Sequence, residues 1–242
     1  MSAIDNKRIV TSALDELFGA RQIAAIDRYF AEGYLQHNPF VAGGAAGLKQ
    51  FARDAIIDNE HFSASRSVVI ADGDRVAVLS RYTGFGADAL VGFDVFRIED
   101  ERLAEHWDCL QNESQSEVPP AASTPIEAVD GPATEANRRL VAAFCEELVL
   151  TAEGNRAARL ACAAAVSDAV ERSSQDPERR RYQRTYQTIA EGNWVLVMSE
   201  GQAWGKPHVF YDLFDVRQGQ VCGLWRVAQA IPQVSVGGLG ML

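Results

Sequence analysis

Two predicted strands carry polar side chains that could take part in acid/base chemistry. Strand alternation places Asp94 on the same face as Phe96 and Ile98, so its carboxyl group is expected to be buried. Burial raises the pKa of a carboxyl group, and a protonated Asp94 would donate a hydrogen bond to a developing oxyanion. The alternative is a buried structural aspartate that is tied to a helix or to Arg97.

His37 is the second candidate for proton transfer. It precedes Asn38-Pro39, where a second helix is expected to give way to a loop, and Pro39 favours an extended conformation in its neighbour. A histidine titrates near neutral pH, so it could take a proton from a carbon acid or give one to an oxyanion. The alternative is a loop histidine that caps a helix end.

His106 and Asp108 lie on the last strand predicted for this part of the chain. Alternation sends them to one face and sends Leu103, Trp107 and Cys109 to the other. The two polar residues are therefore either a catalytic pair or part of a solvated outer face that serves subunit contact. His61, which precedes the first predicted strand, is a further candidate for contact with a substrate.

The elements that must position these residues follow a helix-then-strand order. Ser2 and Asp5 form a capping-box signature ahead of a helix with one apolar face. Turn signals at Asp72-Gly73 and at residues 99–101 indicate hairpins. Further helices are predicted at about residues 22–32 and 48–57, and four strands at about 62–70, 75–82, 91–98 and 102–111. This order predicts an α+β fold, with helices packed on one face of an antiparallel sheet.

The same order recurs later in the chain. Residues 70–74 read Ile-Ala-Asp-Gly-Asp, and residues 189–193 read Ile-Ala-Glu-Gly-Asn. Thr134 stands where a cap would begin the helix of the second copy. We therefore predict a tandem duplication, and repeats of this kind decide how a whole chain is divided. The predicted domains are residues 1–112 with the candidate site, a linker at 113–133, and a second, degenerate domain at 134–242.

The second copy has lost part of the candidate site. It retains Asp212 at the position of Asp94, but Leu224 replaces His106 and Arg226 replaces Asp108. One hypothesis is that this copy pairs with the first within the chain. The other is that it has a pocket of its own, with Tyr186, Trp204 and Asp212.

Composition excludes several classes of function. The net charge is −10 at pH 7, and no basic stripe offsets it, so we expect no nucleic-acid partner. No apolar run reaches the length that spans a bilayer, and the first ten residues lack a signal-peptide core, so we expect no membrane partner and a cytoplasmic location. Glycine-rich phosphate loops and metal-ligand spacings are absent from the sequence, so neither a cofactor nor a metal is expected.

Two segments resemble a known family. Residues 34–39 read Tyr-Leu-Gln-His-Asn-Pro, and the closing strands run Phe93-Asp94-Val95-Phe96 and Glu105-His106-Trp107-Asp108. They are similar to the SnoaL-like, polyketide-cyclase-like branch of the nuclear-transport-factor-2-like superfamily over nearly all of residues 5–112. The resemblance implies a cone of helices and curved sheet whose mouth holds a small hydrophobic ligand. The superfamily contains cyclases, ketosteroid isomerases, epoxide hydrolases and dehydratases beside non-enzymatic binders, so the fold alone does not fix the function.

The resemblance also assigns positions. It implies that His37 lines the pocket mouth and that Asp94 occupies the strand position of the protonated aspartate of the isomerases. The isomerases' carboxylate base near Asn38 and their pocket tyrosine near Leu14 are absent, and Gln111 stands where the cyclases carry their acid/base aspartate.

The resulting hypothesis is a cofactor-independent lyase, isomerase or cyclase that acts on a small, apolar carbonyl compound. His37 and Asp94 would be catalytic, and His106 with Asp108 would form a second pair. The alternative is a non-catalytic ligand-binding or scaffold protein. Expected partners are the small ligand, the second domain of the same chain and a second copy in a homodimer. The expected substrate-binding residues are Asn38, Phe40, Trp107, Gln111 and His61.

Overall fold

The computed structural model describes residues 2–115, 131–150 and 180–242. The chain forms two compact units, the first comprising Met1–Ala128 with Pro232–Leu242 and the second Val129–Ile231. The predicted second domain, residues 134–242, included Pro232–Leu242. This tail belongs to the first unit instead, where the Val236 amide donates to the Pro39 carbonyl at 2.8 Å. Most of the predicted linker, residues 116–130, lies outside the described residues.

Helix α1 of the first unit begins as the sequence predicts. The Ser2 side chain accepts from the Asp5 amide, and the Asp5 carboxylate accepts from the Ser2 amide, which completes the capping box. Val10, Ala13 and Leu14 lie on the buried face of this helix. The helical elements are α1 (Ala3–Leu14) with a π-helical turn (Asp15–Gly19), α2 (Ala24–Tyr29), and α3 (Gly44–Ala52) with a second π-helical turn (Arg53–Ile57).

Five strands form the sheet of the first unit, one more than predicted. They are β1 (Phe30–Gln36), β2 (Ser63–Asp72), β3 (Arg75–Thr83), β4 (Leu90–Glu99) and β5 (Arg102–Asn112), in the order β1-β5-β4-β3-β2. The pairs β2–β3, β3–β4 and β4–β5 are antiparallel.

Strand β1 corrects the predicted second helix, which was expected to continue to residue 32. Helix α2 ends at Tyr29, and the following residues pair in parallel with β5. Phe30 and Tyr34 favour strands, whereas Gly33 weakens a helix, so local preference agrees with the tertiary pairing. As a consequence, His37 follows a strand, and its amide donates to the His106 carbonyl at 2.9 Å.

The second unit repeats the helix-then-sheet order. It contains α4 (Gly131–Leu150) and the antiparallel strands β6 (Arg181–Glu191), β7 (Trp194–Ala203), β8 (Lys206–Arg217) and β9 (Gln220–Ala230), in sequential order. Thr134 is not a helix cap, because α4 begins at Gly131 and the Thr134 hydroxyl accepts from the Gly192 amide at 2.8 Å. The predicted α+β class is confirmed. Within the described part of the chain, no helix combines the length and apolarity required to cross a membrane.

Candidate active site

A cavity of about 190 Å³ lies between the helices and the sheet of the first unit. Most of its wall is aromatic or aliphatic, with contributions from α1, α3 and four of the five strands. The apolar wall includes Leu14, Leu17, Phe18, Phe30, Leu48, Phe51, Ile56, Phe62, Phe85 and Phe96. The polar groups in the wall are Tyr34, Gln36, Asn38, Tyr82, Asp94, His106 and Asp108.

The register of β4 and β5 brings three polar groups of this wall together. Asp94 lies directly opposite Asp108, and His106 lies opposite Phe96. Since facing and alternate residues share one side of a sheet, all three side chains point towards the helices. Each is buried, with 6%, 7% and 3% of Asp94, His106 and Asp108 exposed. The hypothesis of a solvated outer face for His106 and Asp108 is therefore wrong, whereas the predicted burial of Asp94 is confirmed.

A backbone amide fixes the tautomer of His106. The Asn38 amide donates to Gln36 Oε1 at 2.9 Å, and since a backbone N–H can only donate, the atom that it meets is the carbonyl oxygen. His106 Nδ1 lies 2.9 Å from the same oxygen. Because that oxygen only accepts, Nδ1 must carry a hydrogen.

The other ring nitrogen of His106 shares a proton with Asp94. His106 Nε2 lies 3.2 Å from Asp94 Oδ1, and the Tyr82 hydroxyl donates to the second oxygen of that carboxyl group. With Nδ1 already protonated, the contact requires one proton on Nε2 or on Oδ1. The pair is therefore either imidazolium with carboxylate or neutral imidazole with carboxylic acid, and in both forms it holds one transferable proton.

Asp108 has one satisfied oxygen and one unsatisfied oxygen. Oδ2 accepts from Asn38 Nδ2 at 2.6 Å, whereas the buried Oδ1 has no hydrogen-bond partner within the described residues. Burial raises the pKa of Asp108 to about 6 and the charge of Asp94 adds to the rise, although His106 and the Asn38 hydrogen bond oppose it. Asp108 belongs to the cavity wall, and above that pH its carboxylate has one buried oxygen without a partner among the described residues.

Two tyrosines in the cavity were missed in the sequence analysis, which considered a tyrosine only near Leu14. They come instead from β1 and β3. Burial raises the pKa of Tyr34 and of Tyr82 well above 10, so both stay neutral and can donate. Tyr34 accepts from Gln36 Nε2 at 3.3 Å, and its own hydrogen has no acceptor among the contacts of the described residues. Its alternation with Gln36 along residues 34–36 was the signal that could have identified it.

The structure does not bring His37 to Asp94. The His37 ring stacks on Trp107, with 5.0 Å between centroids, and neither residue is part of the cavity wall. Nδ1 lies 2.6 Å from the Gly240 carbonyl oxygen, and Nε2 lies 2.9 Å from Glu105 Oε1. Both ring nitrogens of His37 are therefore engaged by acceptor groups outside the cavity wall.

Glu105 contacts both His37 and Arg97. Burial alone would raise the pKa of Glu105, but hydrogen bonds from Arg97 and His37 outweigh burial and lower the pKa. Arg97 Nε donates to Glu105 Oε2 at 2.8 Å. Because both ring nitrogens of His37 are engaged and the residue is not part of the cavity wall, His37 does not face a ligand there in this arrangement.

Of the predicted substrate-binding residues, some line the cavity and others do not, and their positions in the fold explain the difference. Asn38 and Phe40 contribute to the cavity wall, and Phe40 is 66% exposed. Trp107 and Gln111 do not contribute to the cavity wall, because alternate residues of β5 face opposite sides and these two face away from His106 and Asp108. Gln111 Nε2 donates to the Gln115 carbonyl instead. The side chain of His61 is 81% exposed, since it lies in the turn before β2.

Three possible metal ligands lie close together in the cavity wall. One ligand atom each from Asp94, His106 and Asp108 lies within 4.8 Å of the others, so this cluster could also hold a divalent cation. Such a set of ligands was not predicted, because its members are separated in sequence and only the β4–β5 register assembles them. The direct His106–Asp94 contact places a proton where a cation would compete for the same two atoms.

Residues 10–106 match the family model of the SnoaL-like domain. This match lies within the first unit. The matched region ends before Asp108 and does not extend to the second unit. No curated protein matches the chain.

Solved structures also resemble part of the chain, at low identity. TsrD from Streptomyces laurentii is 20% identical with a TM-score of 0.40, and the match covers 46% of this chain and 91% of that one. A candidate polyketide cyclase from Acidithiobacillus ferrooxidans is 23% identical with a TM-score of 0.38, covering 44% and 88%. A nuclear-transport-factor-2-like protein of unknown function from Mesorhizobium loti is 19% identical with a TM-score of 0.40, covering 46% and 93%.

Proposed function

We propose that the SnoaL-like domain is a cofactor-independent acid/base catalyst of proton transfer in a small, largely apolar carbonyl compound. The observation that carries this proposal is that the wall of one apolar cavity contains both Asp108, whose carboxyl group has one unpaired oxygen, and the His106–Asp94 pair, which holds a transferable proton. An acid and a base with separate environments are what enolisation of a ketone requires.

Asp108 is the base in this proposal. Its unpaired Oδ1 takes the proton from the carbon next to the substrate carbonyl, and the electron pair of that C–H bond forms a carbon–carbon double bond. A pKa of about 6 leaves Asp108 ionised at neutral pH yet more basic than an ordinary aspartate. Asn38 holds the other oxygen and so orients the carboxylate.

The His106–Asp94 pair and Tyr34 stabilise the substrate oxygen. The carbonyl π electrons move to that oxygen as the double bond forms, and it receives a hydrogen bond from Tyr34 or the proton of the pair. Tyr82 and Gln36 hold the pair at its two ends. Return of the proton to another carbon gives isomerisation, loss of a β-hydroxyl gives dehydration, and attack on a second carbonyl gives cyclisation.

The experiment that tests this proposal is solvent-deuterium exchange followed by NMR. The intact chain is incubated in D₂O with small enolisable ketones such as cyclohexanone and 2-cyclohexenone, and exchange at the carbon next to the carbonyl is measured. Wild type should exceed D108N by about 10²-fold or more, the range that general-base catalysis contributes.

The exposed Asp54 provides the matched control, since D54N makes the same chemical change far from the cavity wall. D54N should exchange at the wild-type rate, and a chelator should have no effect on either protein. Equal exchange by wild type and D108N would contradict the proposal. Ligand binding without any exchange would favour the alternative of a non-catalytic binder.

A further inference from the structure

Two hydrogen-bonding groups of the polar residues that line the cavity have no partner among the described residues. Asp108 Oδ1 is a buried acceptor with no donor, and the Tyr34 hydroxyl carries a hydrogen with no acceptor, among the described residues. Leaving either group unpaired in an apolar site costs about 1–3 kcal/mol. One relay joins them, since Gln36 donates to Tyr34 and accepts from Asn38, which in turn donates to Asp108.

The volume limits what can reach these groups. The cavity measures about 190 Å³, whereas an apolar cavity of about 150 Å³ accommodates benzene. One ring with short substituents fits this space, and three or four fused rings exceed it. The aromatic side chains around it favour a flat apolar body.

We infer that the domain takes a single-ring, enolisable ketone and binds it most tightly as the enol. This inference rests on the proposed function and names its substrate class. If Asp108 passes the proton that it removed from carbon to the substrate oxygen, its carboxylate is restored, and the enol oxygen then satisfies both groups: its O–H donates to Asp108 Oδ1 while its lone pair accepts from Tyr34. A ketone oxygen lacks the hydrogen and meets only Tyr34. The binding energy is thus greater for the species formed during reaction than for the substrate.

Calorimetric titration with inert phenols, which are stable analogues of an enol, tests this inference. p-Cresol should bind at least tenfold more tightly than toluene, which has the same ring without the oxygen. A four-ring phenolic steroid should bind at least tenfold more weakly than p-cresol. D108N and Y34F should each reduce p-cresol affinity by about tenfold and leave toluene affinity unchanged, whereas D54N should change neither.

Equal affinity for p-cresol and toluene, or tighter binding of the four-ring phenol, would overturn the single-ring enol assignment. Neither result affects the exchange test, which reports proton transfer from any ketone that is turned over. Conversely, the predicted phenol affinities in a protein that catalyses no exchange would leave the binding inference standing and remove the catalytic one.

A second inference rests on the tail, Pro232–Leu242, which packs within the first unit after the chain has formed the second. The tail contacts the segment of residues 37–43 at three points. The Val236 amide donates to the Pro39 carbonyl at 2.8 Å, and the Gly240 carbonyl accepts from His37 at 2.6 Å. A Cβ on Gly237 would lie 2.9 Å from the Val41 carbonyl oxygen, so only glycine allows the close approach.

We propose that the tail positions the mouth of the cavity. Asn38, Phe40 and Val41 belong to the contacted segment and also line the cavity. The segment follows β1 and precedes α3, so its own backbone has few regular partners, and the tail supplies them. The tail is therefore a specificity determinant that orients Asn38, and through it Asp108, without touching the ligand.

A proline substitution tests this role with little disturbance of packing. The Val236 side chain is 64% exposed, so V236P mainly removes the amide donor, and V234P at a residue that is 76% exposed is the matched control. V236P should weaken p-cresol binding about fivefold and speed amide hydrogen exchange at residues 37–43, whereas V234P should do neither. A chain ending at Ser235 should reproduce V236P. Wild-type affinity and exchange in both variants would overturn the proposal.

Discussion

Both units contain a first helix and four consecutive antiparallel strands, and they differ in the polar groups at one level of these strands. In the first, Asn6 Nδ2 donates to the Gly73 carbonyl, and in the second, Asn137 Nδ2 donates to the Gly192 carbonyl, both at 2.8 Å. These bonds tie the first helix of each unit to the first antiparallel hairpin. The framework contacts recur although the chemistry does not, so scaffold and site can be changed separately.

The difference is a carboxylate in one unit and an arginine in the other. Asp94 lies opposite Asp108, whereas Asp212 lies opposite Arg226, which donates directly to it. Tyr182 donates to Asp212 at 2.8 Å. The aspartate of the second unit is thus fully paired, while Asp108 of the first unit retains an unmet oxygen. Full pairing favours stability, whereas a polar group without a partner remains available to a ligand.

The largest expected effect is a difference between Asp94 and Asp212 in the rate of deuterium exchange. D94N removes the shared proton of the His106–Asp94 pair and should lower the exchange rate by about 10²-fold. D212N at the equivalent position should leave that rate within about twofold of wild type. NMR exchange measured on both variants decides this, and similar losses in the two would show that the units do not divide the work as proposed.

Stability should show the opposite asymmetry. R226M leaves the buried Asp212 without its cationic partner and should lower the free energy of unfolding by about 3–5 kcal/mol. D94N should change it by less than about 2 kcal/mol, because the amide keeps hydrogen-bonding capacity towards Tyr82 and His106. Chemical denaturation gives both values, and the double variant D212N/R226M should recover part of the loss. An R226M protein as stable as wild type would contradict a structural ion pair.

The pH dependence should come from Asp108. Because its pKa in the folded protein is about 6, above the ordinary 3.8, protonation favours the folded state, and the resulting stability is lost as pH rises from about 4 to 6. The loss should reach up to about 3 kcal/mol relative to D108N, in which this dependence is absent. Activity should rise between about pH 5 and 7, as the base ionises around its pKa of about 6 in the folded protein. A rate that is flat between pH 5 and 7 would exclude Asp108 as the base.

The smallest effect is expected at the two predicted binding residues that lie away from the cavity. Q111A and H61A should change the affinity for p-cresol by less than about twofold, because neither side chain contributes to the cavity wall. Calorimetry on these variants beside N38A, which should weaken binding by about tenfold, sharpens the contrast between the two faces of β5. The pairing of the two units within the chain, and a homodimer, stay predictions.

Sequence patterns of short range determined much of this protein. The capping box at Ser2 and Asp5, the hairpin at Asp72-Gly73 and the burial of Asp94 each depend on neighbours within a few residues, and each is confirmed. The repeat also marked the substitution of Arg226 for Asp108 before any geometry was known. Local preference and alternation decide such features, because their periods are fixed by backbone geometry.

Only the tertiary structure decided which polar groups meet. The parallel pairing of β1 with β5 brings Gln36 to His106 and sends His37 to Trp107 on the opposite face, and the tail then occupies the second nitrogen of His37. A shift of one residue in the register of a strand moves its side chains from the cavity face to the outer face. The register of β1 depends on a partner strand some 70 residues away, so no local sequence pattern indicates it. The sequence predicted His37 as a general base or acid, whereas long-range pairing engages both of its ring nitrogens outside the cavity and brings Asp108 into the cavity wall.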